Sequence, residues 1–75
     1  EAIERRLSYY VMEKGISHLT LKVSPILGAY LTKGIFNSIL GRWKKKYRCK
    51  IELVEITDFT ALQNEFYNEK GDKLD

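Results

Sequence analysis

Residues 42–50 (Arg-Trp-Lys-Lys-Lys-Tyr-Arg-Cys-Lys) carry the strongest chemical signal in the sequence, with six cations in nine positions and two aromatic rings between them. Lys and Arg neutralise phosphates and release counterions, and exposed aromatic rings stack on unpaired bases. Arg42, Lys44, Lys45, Lys46, Arg48 and Lys50 are therefore candidates for contact with RNA. Helical spacing sets Trp43 and Tyr47 on the same stripe as Phe36, Ile39 and Leu40, which makes both rings core residues and reduces the signal to a basic helix face. Such a face contacts nucleic acid, or it is simply solvated or set between subunits.

The remaining chemistry-bearing residues assemble less. His18 has no Cys, His or acidic partner at ligand spacing, so it reads as a histidine at a strand end. Cys49 sits among cations that favour its thiolate, but no context marks a nucleophile, and a structural thiol is expected. Glu52, Glu55, Asp58, Glu65 and Asp72 offer oxygen ligands without a calcium-loop pattern, and Glu52 and Glu65 read as cross-strand neighbours of Lys or Arg. Gly15, Gly28, Gly34, Gly41 and Gly71 are too scattered for a phosphate-binding loop. No acid, base and oxyanion site come together, so the chain by itself is expected to be non-catalytic, with no metal and no cofactor of its own.

These residues must be positioned by a short series of elements. Ile3, Leu7, Tyr10, Val11 and Lys14 recur at spacings of three and four, which predicts a helix over 2–14 ending at Gly15, with Arg5, Arg6 and Glu13 in water. Leu19, Leu21 and Val23 alternate with polar residues and predict a half-buried strand. Ser24 and Pro25 are an N-cap and first-turn pair, opening a short helix through Lys33 that buries some of Ile26, Leu27, Tyr30 and Leu31 and closes at Gly34. A third helix is expected from about Phe36 to Tyr47. Residues 50–57 read as a strand whose alternation breaks at Leu53-Val54, a sign of burial on both faces or a bulge. Residues 62–68 make a third strand. About four residues between these two strands favour an antiparallel hairpin. The expected fold is α+β, in the order helix-strand-helix-helix-strand-strand, with a small, mainly antiparallel sheet of about three strands covered by helices on one face.

Length and composition set the frame. Seventy-five residues, 44% hydrophobic and 31% charged, make one small domain over 1–75 rather than a disordered segment. Residues 1–50 hold eleven Lys/Arg against three Glu, or +8. Residues 51–75 hold two Lys against seven Asp/Glu, or −5, which together give the net +3. A basic front and acidic tail mark a polyanion-binding face, or two halves that neutralise each other in the fold. The single cysteine excludes an internal disulfide. No apolar run approaches the roughly 18 residues of a membrane span, so no membrane partner is expected. The start at Glu1 suggests a piece excised from a longer protein, and the free thiol suggests a cytoplasmic origin.

Residues 19–33 (Leu-Thr-Leu-Lys-Val-Ser-Pro-Ile-Leu-Gly-Ala-Tyr-Leu-Thr-Lys) resemble the carboxy-terminal small domain of the bacterial ribonuclease E/G family. One branch of that family has been labelled ribonuclease G or cytoplasmic axial filament protein. Its members follow a Leu-x-Val-x-Pro strand-to-helix joint with Ala-Tyr-Leu, a Trp- and Lys-rich helix, a strand and an aromatic strand. Here those parts look like residues 42–47, Ile51-Glu52-Leu53-Val54 and Asn64-Glu65-Phe66-Tyr67. The resemblance implies a parent endoribonuclease that processes and degrades RNA, with magnesium held by upstream aspartates and zinc held between protomers by a Cys-Pro-x-Cys segment. No residue of this sequence matches those metal ligands. The resemblance also implies a role in oligomer assembly, or in bracing the catalytic core against the other protomers. Tyr9, Tyr30, Phe59 and Tyr67, at or off the edges of the core stripes, are the expected interface anchors. The alternative is a stand-alone RNA-binding module that uses the basic segment 42–50.

Overall fold

A computed structural model describes residues 2–74. Its elements are α1 (Ala2–Ser8), a π-helical turn (Tyr9–Glu13), β1 (His18–Val23), α2 (Pro25–Thr32), α3 (Ile39–Tyr47), β2 (Lys50–Glu55) and β3 (Asn64–Tyr67). This is the expected α+β order. The three strands form one mixed sheet in the order β2-β1-β3.

β1 occupies the centre because it has the most apolar inner face. Leu19, Leu21 and Val23 are all essentially fully buried, while His18, Thr20 and Lys22 point to the other side. Registers Leu19↔Ile51 and Leu21↔Leu53 on one side, and Leu21↔Phe66 on the other, extend that inner face across the sheet. The expected hairpin between the last two strands does not form. β2 runs parallel to β1, and β3 runs antiparallel to it on the opposite side. A parallel pair needs a long crossover, and α2 and α3 supply it. The connection over 56–63 then passes the end of β1, where Ile56 N donates to Val23 O (2.8 Å) and Ser24 N donates to Gln63 O (3.2 Å).

Leu53-Val54 is neither a bulge nor buried on both faces. The register is continuous, and Val54 points away from the helices, half exposed on the edge strand. β2 is the bare edge, where Lys50, Glu52 and Glu55 discourage further pairing. The outer edge of β3 is covered by the Tyr67↔Lys73 bridge and by Leu74 N donating to Phe66 O (2.8 Å).

The helices contribute Ile3, Leu7, Tyr10, Leu27, Leu31, Leu40 and Trp43 to a single core with the inner face of the sheet. The helix expected over 2–14 changes pitch at Tyr9, where Lys14 N bonds Tyr9 O (3.2 Å) five residues back. Lys14 consequently leaves the stripe and lies exposed, its Nζ 5.7 Å from the Tyr9 ring. Arg6, expected in water, is half-buried with its guanidinium 5.0 Å above the Phe66 ring and bonded to the Asn64 side chain. Tyr10 also meets Phe66, edge-on at 5.2 Å. Gly15, at φ 69°, makes the left-handed turn that ends the segment.

Candidate functional site

Two neighbouring helices dominate the outer surface. α2 begins with Ser24, whose hydroxyl accepts from Leu27 N (3.1 Å) and donates to Ala61 O (2.5 Å) while being almost fully buried. Pro25 follows at the first helical position, as expected. Leu27 and Leu31 turn inward, and Gly28 lies so close to Glu55 that an added Cβ would fall 2.3 Å from its carboxylate. None of the eight residues of α2 is charged, so its outward side is Ile26, Ala29 and Tyr30, all exposed.

The chain then turns through Gly34 (φ 95°) into a loop, where the sequence predicted helix from Phe36. Helix α3 starts three residues later, because Ser38 takes the cap and accepts from Gly41 N (3.0 Å). Phe36 is thereby excluded from the α3 stripe. It is 91% exposed and its neighbour Ile35 is 90% exposed. These two side chains and Ile26 are candidates that the sequence reading missed, whereas Tyr30 was already expected at an interface. For Ile26 the signal was the absence of any charge on α2, since a helix with no charged side ordinarily has little of itself left in water.

In α3, Leu40 and Trp43 are buried, and Ile39 and Tyr47 pack at the margin of the core. The prediction that both rings belong to the core holds fully for Trp43 and partly for Tyr47. Helical geometry divides the six cations of the basic run. Arg42, Lys45 and Lys46 line a groove of about 550 Å³ between α1 and α3, together with Glu4 and an edge of Trp43. Lys44 and Lys50 instead border a separate depression with His18, Cys49, Ile51 and Glu52. Arg48 belongs to neither lining and adopts the left-handed conformation (φ 49°) that ends the helix.

Glu4 anchors the first groove. Its Oε2 accepts from the Tyr47 hydroxyl (2.8 Å) and from Lys46 Nζ (3.0 Å). These bonds hold the Glu4 carboxyl below its ordinary value, with the Tyr47 bond the largest cause, and Glu4 in turn raises the Lys46 ammonium. Arg42 donates to Asn37 O (3.0 Å), tying the exposed loop to α3. Among the described residues, Lys45 has no carboxylate partner.

The four expected anchors do not form one surface. Tyr30 is on the outward side of α2, and Tyr67 is on the opposite, open face of the sheet. There Lys22 Nζ sits 4.2 Å over the Tyr67 ring, and the Tyr67 hydroxyl donates to Glu65 (2.5 Å). That bond raises the Tyr67 hydroxyl and lowers the Glu65 carboxyl. Tyr9 is half exposed on the π-helical turn, and Phe59 is partly covered in the 56–63 connection.

Glu65 is the cross-strand neighbour of Lys22, as expected, and also pairs with Lys73 (3.5 Å). Glu52, by contrast, lies opposite Thr20 rather than a cation. Glu55 packs at Gly28, and Asp58 and Asp72 are exposed in turns, where Asp72 O and the Asp72 amide close a loop on Asn68. His18 is at the start of β1, 3.6 Å from Glu69. The surrounding cations do not activate Cys49. The thiol is buried, and burial pushes its pKa up. Among the described residues no group of three or more His, Cys, Asp or Glu is placed to hold a metal ion, and no helix is long and apolar enough to cross a membrane.

Comparison with protein-family models, with curated proteins and with solved structures finds no match to this chain.

Proposed function

We propose that the chain is the non-catalytic small domain of a ribonuclease E/G-type endoribonuclease and supports its assembly by docking through the outward side of α2 and the Ile35-Phe36 loop. The sequence resemblance supplies the parent enzyme. The observation that carries the docking role is apolar surface left uncovered. Ile26 and Tyr30 are one turn apart on a helix without charge, and Ile35 and Phe36 stand almost wholly in water. Covering side chains of this size stabilises a complex by about 1.5–3 kcal/mol each before the costs of association are subtracted. Docking of this kind either joins protomers or braces the catalytic core. Magnesium and zinc belong to the other segments of such an enzyme, and no residue here is assigned to them. A cytoplasmic setting follows from that parent.

The experiment mixes the chain with the catalytic region of a ribonuclease E/G-type enzyme from the same organism and follows the pair by sedimentation. The wild-type chain should co-sediment. A variant with Ser at positions 26, 30, 35 and 36 should keep its circular dichroism and sediment alone. Equal assembly by the folded variant, or no assembly by the wild type, overturns the proposal.

A further inference from the structure

We infer that the outward side of α3 binds the phosphodiester backbone of nucleic acid through Arg42, Lys45 and Lys46, and that it does so without reading or stacking on bases. The inference does not depend on the docking role of α2. Positions 42, 45 and 46 are three and four residues apart, so they share one side of the helix and converge on the groove against α1. Three cations against the one carboxylate of Glu4 leave the groove at +2. The Glu4 charge is offset by the Lys46 ammonium, which with the Tyr47 hydroxyl donates to Oε2. Among the described residues Lys45 has no carboxylate partner, and the Arg42 bond to Asn37 O leaves most of its donors for a ligand.

The aromatic residues of the basic run do not complete a base-stacking platform. Trp43 is buried in the core, with 4% of its surface exposed. Tyr47 is half-buried, and its hydroxyl is committed to Glu4. A site that senses charge alone favours the ligand with the higher charge density. A duplex, with two phosphate chains along one axis, should therefore bind more tightly than a single strand, with no preference for base composition.

The test titrates the chain with fluorescent RNA of one length, single-stranded or duplex, over a range of salt. Two to three phosphates neutralised give a log–log slope of about −1.8 to −2.7 on the duplex, a loss of about 10- to 40-fold between roughly 50 and 200 mM salt. R42Q/K45Q should lower the magnitude of that slope by about two. K44Q/K50Q removes the same charge from the other depression and should leave it unchanged, with circular dichroism confirming the fold of both variants. Equal loss in the two double variants overturns the inference, since net charge alone would then be acting. Tighter binding of the single strand overturns it in favour of stacking. Displacement by poly-glutamate as readily as by duplex overturns it in favour of an acidic protein partner.

Discussion

α2 and α3 are neighbours on one sheet and feed one core, yet their outer sides have opposite chemistry. Leu27 and Leu31 of the first, and Leu40 and Trp43 of the second, are buried together. Outside, α2 shows Ile26 and Tyr30 and no charge, whereas α3 shows Arg42, Lys44, Lys45 and Lys46. Charge placed outside a helix keeps that side in water, and its absence leaves the side available for burial. In a domain this small the inner stripes are used for folding, and the helices differ only in what they leave outside. The difference sets an uncharged apolar surface beside a basic one.

The comparison breaks most severely if the shared core is removed. Trp43→Ala and Leu31→Ala are each expected to cost about 3–5 and 2–5 kcal/mol. Either loss is comparable to the whole stability of a chain of this length, so urea unfolding should show both variants largely unfolded. Near-native stability in only one of them would mean that the two helices do not depend on a common core.

The caps should separate the helices by a smaller amount. Ser24 both caps α2 and bonds Ala61 O from a buried position, whereas Ser38 caps α3 in a more open one. Ser24→Ala should cost about 2–3 kcal/mol, since it loses a cap and strands a carbonyl, and Ser38→Ala about 1 kcal/mol. Equal midpoints in urea would show that the bond to the 56–63 connection contributes nothing.

Outer-surface changes come next. Ile35→Ser and Phe36→Ser should move stability by no more than about 0.5 kcal/mol each, because neither side chain is covered in the folded chain. A large drop in the unfolding midpoint of the isolated chain would place these residues in its own core instead.

The smallest expected effect is on pH dependence. Glu4 joins α1 to α3, and its pKa is lower in the folded chain than in the unfolded one. Its contribution is therefore fully present above the ordinary carboxylate range and is lost as pH falls through the lowered value. Lys46 is raised, so its contribution is present below the ordinary ammonium range and is lost as pH rises through the raised value. Glu4→Gln should flatten the stability profile at both ends, and an unchanged acid limb would show that the pair is not maintained in solution.

Much of the fold was legible in residues close together in sequence. The alternation of Leu19, Leu21 and Val23 predicts β1 and its inner face, the Ser24-Pro25 pair predicts the start of α2, and Gly15 predicts the end of the first helical segment. The cations of the basic run were legible as a group, but their division between two linings was not. That division depends on where α1 and the start of β2 meet α3. Phe36 was misplaced because its spacing fits the α3 stripe, and only the Ser38 cap shows that the helix begins too late to include it.

Local sequence specified the order of helices and strands and the inward side of β1, because periodicity, capping and turn residues act over a few positions. Tertiary structure alone decided that β1 lies between β2 and β3, and that the expected hairpin gives way to a parallel pair and an antiparallel one. It also decided that burial prevails over neighbouring cations at Cys49, and that Ile35 and Phe36 remain uncovered. Each of these outcomes depends on which surfaces meet across the fold. A strand pairs where its whole apolar face is best covered, and a thiol responds to the medium around it more than to its neighbours in the chain.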